Sequence, residues 1–372
     1  MWKLIPTVAA AMLFSVLTER TSLYRLGENG EKLFREPLNL FFLALVLSLS
    51  SLVGLRTSYN DTVAYIHTYE NTEIGFDGLA EADWSLGANP GYMLMRLAMK
   101  TLGFSTQSYL MAYAVFTIFI YLWFIRKYAE SFWYSVFLFI TMGCYTFTMA
   151  AVKQTVAIAF CLIGTDRAIR GRWISSFFWI IIGALFHPYS LMYLAVPLMV
   201  FPPWTGYTYL VLLVFGAFGA GLHMLVGRVV DVTSMLGEEF TEEMLMGEGV
   251  NAFRLAVVWM PVIVSFMTRK FLKRSKNRAE NVIMNLMMLN AEIMFVALFG
   301  TANYFARLAN YFLIFQAIAL PSLFRYFADE SRQLMFGGSI LGYSAFFYYS
   351  NAVMYGGFDQ IYNGIKLWDY LR

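Results

Sequence analysis

The sequence predicts an all-α polytopic membrane protein with about 12 transmembrane helices. Of its 372 residues, 59% are apolar and 14% are charged, and the mean hydropathy is +0.58. Apolar segments long enough to cross a bilayer recur along the whole chain. Lysine and arginine are divided unequally between alternate loops, which is the pattern that sets orientation. We therefore expect one integral membrane domain over residues 1–372.

Twelve apolar segments, separated by polar or charged loops, predict the membrane-crossing helices. The first segment follows Lys3 as in a signal peptide, but no small-residue cleavage site precedes the Glu19-Arg20 pair, so we interpret it as a span. The segments are 2–18, 38–55, 107–125, 132–148, 152–168, 172–186, 188–204, 207–225, 253–268, 281–299, 304–322 and 333–350.

The break at Pro188 decides the number of crossings. Residues 172 to 201 fit one kinked helix or two short spans that meet at the break. The basic run 269–278 is the strongest cytoplasmic signal, and the group from Arg20 to Arg35 is the next. Both lie on one side only if the segment after Pro188 crosses by itself, which predicts that both termini are outside.

The 27 lysine and arginine residues divide as this orientation requires. The 17 that fall in cytoplasmic loops are Arg20, Arg25, Lys32, Arg35, Arg126, Lys127, Arg167, Arg170, Arg172, Arg269, Lys270, Lys273, Arg274, Lys276, Arg278, Arg325 and Arg332. The 10 on the outer side are Lys3, Arg56, Arg96, Lys100, Lys153, Arg228, Arg254, Arg307, Lys366 and Arg372. Basic residues are usually avoided on the outer side, so these need a separate explanation.

Composition and motifs argue against several classes of function. Cys144 and Cys161 both lie in apolar segments and form no disulfide framework. The chain has no phosphate-binding glycine loop and no Cys/His cluster with metal-ligand spacing. It also has no internal sequence repeat, which disfavours an inverted-repeat transporter. The net charge of +3 is too small to indicate nucleic-acid binding.

The longest outer loop, residues 56–106, contains the first candidate for a general base. If the chain is helical from Asn60, then Asp61, Tyr65 and Tyr69 share one helix face. A carboxylate in partly apolar surroundings suits proton transfer from a substrate hydroxyl. The alternative is that Asp61 only caps the helix.

Aromatic residues of the same loop are candidates for sugar binding, with an interfacial belt as the alternative role. They lie around an acidic segment between Glu73 and Asp83. The loop ends in an amphipathic stretch from Asn89 to Lys100, which predicts a short helix in the membrane interface. The candidates are Tyr59, Tyr65, Tyr69, Trp84 and Tyr92.

Four cations at the outer ends of spans, together with His187, complete the candidate site. An ordered set of cations suits an anionic ligand such as a lipid pyrophosphate, whereas snorkelling to headgroups is the alternative. His187 lies at the Pro188 break, where irregular backbone usually lines a cavity, although a packed helix-end histidine is the alternative. His67 and His223 are assigned no role. The cations are Arg56, Lys153, Arg254 and Arg307.

Two further outer segments have amphipathic or aromatic character. Residues 227–251 are acidic with an apolar side, which predicts a surface helix that covers the site or moves as a lid. The aromatic tail from Tyr355 to Tyr370 is interpreted as an interfacial anchor.

Five segments between residues 38 and 325 resemble, in order, the motifs of the EpsG family of Wzy-like bacterial polysaccharide polymerases. The chain departs from the family pattern at Asn60, at Asn89 and at Lys153, where the family often has Arg. The matching segments are Arg56…Tyr59-Asn60-Asp61-Thr62…Tyr65…Tyr69, Asn89-Pro90-Gly91-Tyr92…Leu97, Lys153-Gln154…Ala157, Phe186-His187-Pro188-Tyr189-Ser190 and Arg307-Leu308-Ala309-Asn310-Tyr311-Phe312…Leu320-Pro321.

The resemblance implies a GT-C-like membrane glycosyltransferase of exopolysaccharide, capsule or O-antigen synthesis. Its donor and acceptor would be oligosaccharide repeat units linked to a polyprenyl pyrophosphate such as undecaprenyl pyrophosphate. They would be joined at the outer face of the bacterial cytoplasmic (inner) membrane. A flippase and a chain-length regulator of the same pathway are the further partners that the resemblance implies.

The candidate residues fit this chemistry. Pyrophosphate leaves as a stable anion, so the site needs positive charge where that anion develops, which the four cations supply. The acceptor hydroxyl needs a base, for which Asp61 is the first candidate and His187 the second. One base and direct displacement imply inversion at the anomeric carbon. No cluster of acids requires a metal, and we predict neither a metal nor a cofactor.

Two other functions stay open. A GT-C glycosyltransferase that adds single sugars from a lipid-linked donor would share the fold, the side and the residues. A polysaccharide or lipid transporter or flippase would predict ionisable residues midway along several spans, whereas here most of them lie at span ends.

Overall fold

The computed structural model describes residues 1–75, 83–237, 240–354 and 357–370. The centre of the predicted acidic segment, two glutamates of the 227–251 loop, the start of the aromatic tail and Arg372 lie outside these residues.

The described chain is mainly helical, which confirms the all-α class. The α-helices are α1 Ile5–Thr21, α2 Leu40–Gly54, α3 Thr62–Glu70, α4 Pro90–Thr101, α5 Thr106–Tyr128, α6 Phe132–Thr141, α7 Cys144–Ala150, α8 Val152–Ile169, α9 Trp173–Phe186, α10 Gly206–Ala220, α11 Leu222–Met235, α12 Glu242–Leu245, α13 Ala252–Met267, α14 Arg269–Leu272, α15 Arg278–Val296, α16 Ala302–Ala309, α17 Leu313–Leu323, α18 Asp329–Tyr348, α19 Phe358–Ile361 and α20 Leu367–Tyr370. The 3₁₀ helices are Pro188–Val200 and Phe324–Tyr326, and Tyr349–Val353 is π-helical. The strands are β1 Tyr24–Leu26, β2 Lys32–Phe34, β3 Arg56–Ser58 and β4 Asn363–Gly364, paired antiparallel as β1–β2 and β3–β4.

Each predicted span contains a helix, but several of these helices are short or bent. Judged by length and composition within the described ranges, α5 alone is long and apolar enough to cross a membrane. Three bent pairs also qualify if each is one span, which brings the total to 4. The bends are 51° between α6 and α7, 96° between α10 and α11, and 53° between α16 and α17. The figure of about 12 crossings therefore stays a prediction.

Side-chain caps fix where several of these helices begin. The carboxamide oxygen of Asn39 accepts the N–H of Phe42 at 2.7 Å, and Asn277 accepts that of Glu280 at 3.0 Å. Ser105 starts α5 in the same way. These caps satisfy backbone donors that a helix leaves open in its first turn.

One end of the bundle gathers the loops that the charge pattern assigned to the cytoplasm. Arg170 lies 3.9 Å from Glu31, and Lys127 forms a buried ion pair with Asp166. Two further contacts connect loops at this end. The N–H of Ala279 donates to the carbonyl of Asn29, and Arg325 pairs with both Glu130 and Glu280.

The opposite end of α5 gathers the loops predicted to be outside. There β3 pairs with β4, so the C-terminal region lies beside Arg56. The Lys3 ammonium donates to the carbonyl of Asp359 at 2.9 Å, which brings the two terminal regions together. A 23-residue helix is about 35 Å long, so α5 separates the two ends by roughly the thickness of a membrane. Which end faces the cytoplasm stays a prediction.

The residues after Pro188 cross back through the bundle as a 3₁₀ helix. Pro197 lies inside this segment and has no N–H for an α-helical bond. At its far end, Asn281 donates to the carbonyl of Val200 at 3.1 Å, and Asn285 donates to that of Phe201 at 2.9 Å. Both asparagines belong to the first turns of α15, so the segment returns to the end where α9 began.

Candidate functional site

A cleft opens between α3 and α4 at the end of the bundle that is predicted to be outside. Two asparagines set the paths that lead into these helices. Asn60 has φ of 44° and Asn89 has φ of 58°, in the left-handed region that asparagine tolerates better than most residues. Each turns the chain immediately before its short helix begins. Pro90 then supplies a favourable first residue for α4.

The cleft has a volume of about 580 Å³ and a mixed polar and aromatic lining. Asp61 is exposed and stands at the N-cap position of α3, but its side chain makes no capping hydrogen bond. The carboxylate instead borders the cleft, together with residues from α3, α4 and α8. The lining is Asp61, Ala64, Tyr65, Thr68, Asn71, Thr72, Glu73, Asp83, Ala88, Tyr92, Met93, Arg96, Leu97 and Lys153.

Tyr65 lies where the predicted base and cations meet. Its ring packs edge-on against Tyr92 at 6.0 Å, and its hydroxyl is hydrogen-bonded to the backbone of Lys153. Burial, followed by the charge of Asp61, raises the pKa of Tyr65 to about 12, while Arg307 acts in the opposite direction. The phenol therefore stays protonated at neutral pH and remains neutral between groups of opposite charge.

His187 lies beside the same cations, at the break between α9 and the 3₁₀ helix. The start of α8 is tied to α16 because Gln154 donates to the backbone carbonyl of Arg307 at 2.8 Å. On the next turn, the hydroxyl of Tyr311 lies 2.8 Å from Nδ1 of His187. Lys153 and Arg307 both act electrostatically on this imidazole. Three distant segments of the chain therefore meet at one point.

The imidazole of His187 is held neutral. Burial, and then the positive charges of Lys153 and Arg307, lower the pKa of His187 to about 3. When Tyr311 donates to Nδ1, the ring proton is on Nε2 and can be donated to an anion. A base with so low a pKa has little driving force to accept a proton, which argues against His187 as the base.

The EpsG family model matches residues 39–363, which is most of the chain. The protein belongs to the EpsG family. No curated protein and no solved structure matches the chain. Family membership implies a Wzy-like polysaccharide polymerase and an integral membrane protein, in agreement with the apolar helices.

Three of the four predicted cations of this EpsG-family protein, namely Arg56, Arg254 and Arg307, lie apart from the cleft lining. Arg56 is 1% exposed, and its guanidinium donates to Thr62 at 2.9 Å and to the carbonyl of Val53. Burial lowers the pKa of Arg56 to about 10, so it remains charged at neutral pH. Arg254 donates to Asn310 at 3.2 Å, next to the turn that carries Tyr311. Direct contact of either residue with a ligand stays a prediction.

The five predicted sugar-binding aromatics occupy different surroundings. Tyr65 and Tyr92 line the cleft. Tyr59 is buried against Phe358, with 5.5 Å between the ring centroids. Tyr69 is 1% exposed and stacks on Tyr109 at 4.1 Å. Trp84 is 54% exposed and stands outside the cleft lining. Only 4% of Tyr92 is exposed, and sugar binding at any of the five positions stays a prediction.

Sequence reasoning missed several members of the site in this EpsG-family protein. Gln154 and Tyr311 were assigned no role beyond membership of a motif. In the structure Gln154 binds the backbone of Arg307, and Tyr311 binds the imidazole of His187. Arg96 was counted among the outer cations but given no role, and it lines the cleft. Its spacing of four residues from Tyr92 on α4 was the available signal, since such residues share a helix face.

The tail and the outer acidic loop also pack around the site. Phe358 contacts Tyr59, and the hydroxyl of Tyr362 donates to the carbonyl of Leu52 at 2.9 Å. The tail therefore packs against the segment that leads to Asp61, beyond the anchoring role predicted for it. In the 227–251 loop, Phe240 packs edge-on against Tyr304 of α16 at 4.9 Å. A lid movement of this loop stays a prediction.

Proposed function

We propose that this EpsG-family protein is an inverting membrane glycosyltransferase that polymerises lipid-pyrophosphate-linked oligosaccharide repeat units. The observation that supports the proposal is that Asp61 and Lys153 border one cleft beside Tyr65, while the charges of Lys153 and Arg307 act on the neighbouring His187. Apart from Tyr65, these groups come from four separate segments of the chain. A carboxylate that faces a cleft, next to a concentration of positive charge, suits nucleophilic displacement with an anionic leaving group.

In the proposed reaction Asp61 takes the proton from the acceptor hydroxyl. The hydroxyl oxygen attacks the anomeric carbon of the donor while the bond from that carbon to the pyrophosphate oxygen breaks. The electron pair goes to the pyrophosphate, whose charge is stabilised by Lys153, Arg307 and Nε2–H of His187. Attack from the face opposite the leaving group inverts the anomeric centre.

The remaining candidates support this centre. Arg56 is assigned to positioning, because its buried guanidinium joins the end of α2 to Thr62 at the start of α3. Tyr65 and Tyr92 are the proposed surfaces for the acceptor sugar. Arg254 holds the turn after α16 through Asn310, and it acts on the pyrophosphate by its charge. We assign Tyr59 and Tyr69 to packing around the cleft.

The direct experiment supplies purified protein with a polyprenyl-pyrophosphate oligosaccharide and separates the products by size. A ladder of multiples of the repeat unit supports the polymerase. A product larger by one monosaccharide would instead indicate the single-sugar transferase, and an unchanged substrate that moves across a vesicle membrane would indicate a flippase.

The proposed orientation places the cleft at the outer face of the bacterial cytoplasmic membrane. It rests on the 17 basic residues at one end against 10 at the other. A cysteine at Ser275 should react with an impermeant thiol reagent only after the membrane is permeabilised, whereas one at Ser85 should react in intact cells. Labelling of Ser275→Cys from outside would contradict the orientation.

A further inference from the structure

The α3–α4 cleft contains a second cationic position that the proposed reaction does not use. Arg96 lies one turn after Tyr92 on α4, and its guanidinium carbon is 5.8 Å from the centroid of the Tyr92 ring. The ammonium of Lys153 lies 5.6 Å from the same centroid. Tyr92 therefore has two cations beside one ring, of which Lys153 also acts electrostatically on His187 and Arg96 lines the cleft.

The guanidinium of Arg96 is not neutralised within the described part of the protein. It takes part in none of the ion pairs there, and its Nε is buried without a hydrogen-bond partner. A buried donor without an acceptor costs free energy, and the cost is larger for a charged group. An arginine that forms no internal pair and lines a cleft is therefore suited to receive its acceptor from a ligand.

The opposite part of the cleft limits what this ligand can be. Asp61, Glu73 and Asp83 are carboxylates in the same lining. They accept hydrogen bonds from hydroxyl groups but repel a second or third negative charge. A ligand with several hydroxyl groups and little negative charge, whose anionic group lies beside Arg96 on α4, suits this lining best.

We propose that Arg96 and Tyr92 form a subsite for one anionic group carried by a saccharide substrate, a specificity that rests on the proposed glycosyltransferase function. The guanidinium binds a planar carboxylate or a phosphate through two parallel hydrogen bonds. The Tyr92 ring is 4% exposed, and it lies beside the guanidinium and helps to hold it at the cleft. Two sources have this chemistry: the carboxylate of an acidic sugar within the repeat unit, and a phosphate of the second lipid-linked chain.

The test measures binding of three soluble probes to the purified full-length protein. They are an aldobiouronic acid (a disaccharide with one carboxylate), its neutral methyl ester, and inorganic pyrophosphate. If an acidic sugar is the ligand, Arg96→Gln lowers the affinity for the aldobiouronic acid by about tenfold or more, which is the size of a lost charged hydrogen bond. The methyl ester is then unaffected by the substitution. If a phosphate is the ligand, Arg96→Gln lowers the affinity for pyrophosphate and leaves the affinity for the aldobiouronic acid unchanged.

Matched variants separate charge, geometry and folding. Arg96→Lys keeps the charge without the two-pronged geometry and should give intermediate affinity. Lys100→Gln is the control, because it removes one positive charge from the same helix at a position outside the cleft lining. This variant should bind all three probes with the affinity of the original protein. Arg307→Gln tests the proposed leaving-group site separately, because it should weaken pyrophosphate alone.

The subsite would be overturned if Arg96→Gln bound both anionic probes as tightly as the original protein does. It would also be overturned if the original protein bound neither probe. Retention of pyrophosphate by Arg307→Gln would count against the proposed function and leave the Arg96 result standing.

Discussion

The two ends of the bundle use basic residues in different ways. At the end predicted to face the cytoplasm, several cations are neutralised by carboxylates, as in the buried pair of Lys127 with Asp166 and the contact of Arg325 with Glu280. At the other end, the exposed Arg228 also pairs with Asp231, but the cations that line the cleft, Arg96 and Lys153, lie against the ring of Tyr92. The outer arrangement keeps positive charge available for an anion.

This difference separates stability from function. A buried ion pair resists the loss of one partner, because the other charge is left without compensation. A cation held for a ligand contributes little to folding, so its removal should affect activity and leave the fold intact. Substitutions at the two ends should therefore give opposite patterns of effect on stability and on activity.

The largest expected effect is on stability, from Asp166→Asn at the inner end. Asp166 is 2% exposed and pairs with Lys127 and with Arg170, while the hydroxyl of Tyr128 donates to it at 2.7 Å. Neutralising it leaves a buried ammonium unpaired, so unfolding free energy should fall by about 3–5 kcal/mol. Denaturation of the purified protein in detergent measures the change. A loss of activity with unchanged stability would contradict the contrast between the two ends.

The next effect is on activity, from Arg307→Gln at the outer end. Arg307 is exposed on α16, and its charge reaches Tyr65 and His187. Loss of a group that stabilises the leaving anion should lower chain extension by about 10²-fold. The midpoint of thermal unfolding should stay within a few degrees of its original value. Arg228→Gln is the control, since Arg228 is also an exposed outer cation but lies on α11, away from the cleft.

The smallest effect is a change in acid sensitivity, from His187→Gln. The pKa of His187 is lowered to about 3 from an ordinary value of 6.5. Between these values the unfolded chain binds a proton that the folded protein does not, so stability falls as pH falls through this window. The variant should therefore lose less thermal stability between pH 7 and pH 4 than the unchanged protein. An equal loss would show that the imidazole is not held neutral; His223→Gln, at an exposed position, serves as the control.

The sequence predicted the arrangement of loops better than the form of the helices. Each apolar run contains a helix, because burial in lipid or in the bundle requires such runs, but whether each helix crosses a membrane stays a prediction. The bend of 96° between α10 and α11 was not predicted, since Gly221 is one of many glycines in apolar segments. The 3₁₀ form after Pro188 also depends on asparagines of α15 that bind its far end, and no local pattern reveals such contacts.

Of the predicted charged residues only Asp61 and Lys153 line the cleft, and of the predicted aromatic ones only Tyr65 and Tyr92 do so. Asp61 and Lys153 were conspicuous because ionisable groups at outer span ends are unusual. The direction of an aromatic side chain depends on packing partners far along the chain, such as Phe358 for Tyr59. Spacing alone therefore could not separate Tyr65, which borders the cleft, from Tyr69, which is buried.

The central claim is that the outer end is a catalytic site in which Asp61 is the base. The most direct measurement is the rate of chain extension by purified Asp61→Asn on a polyprenyl-pyrophosphate oligosaccharide, beside His187→Ala under the same conditions. Asparagine is nearly isosteric and can still occupy the N-cap position, so the variant should fold normally. We expect Asp61→Asn to extend chains about 10²-fold more slowly or worse, the usual size of a lost general base. Near-normal extension by Asp61→Asn, with loss of extension in His187→Ala, would contradict the account and transfer the role of base to His187.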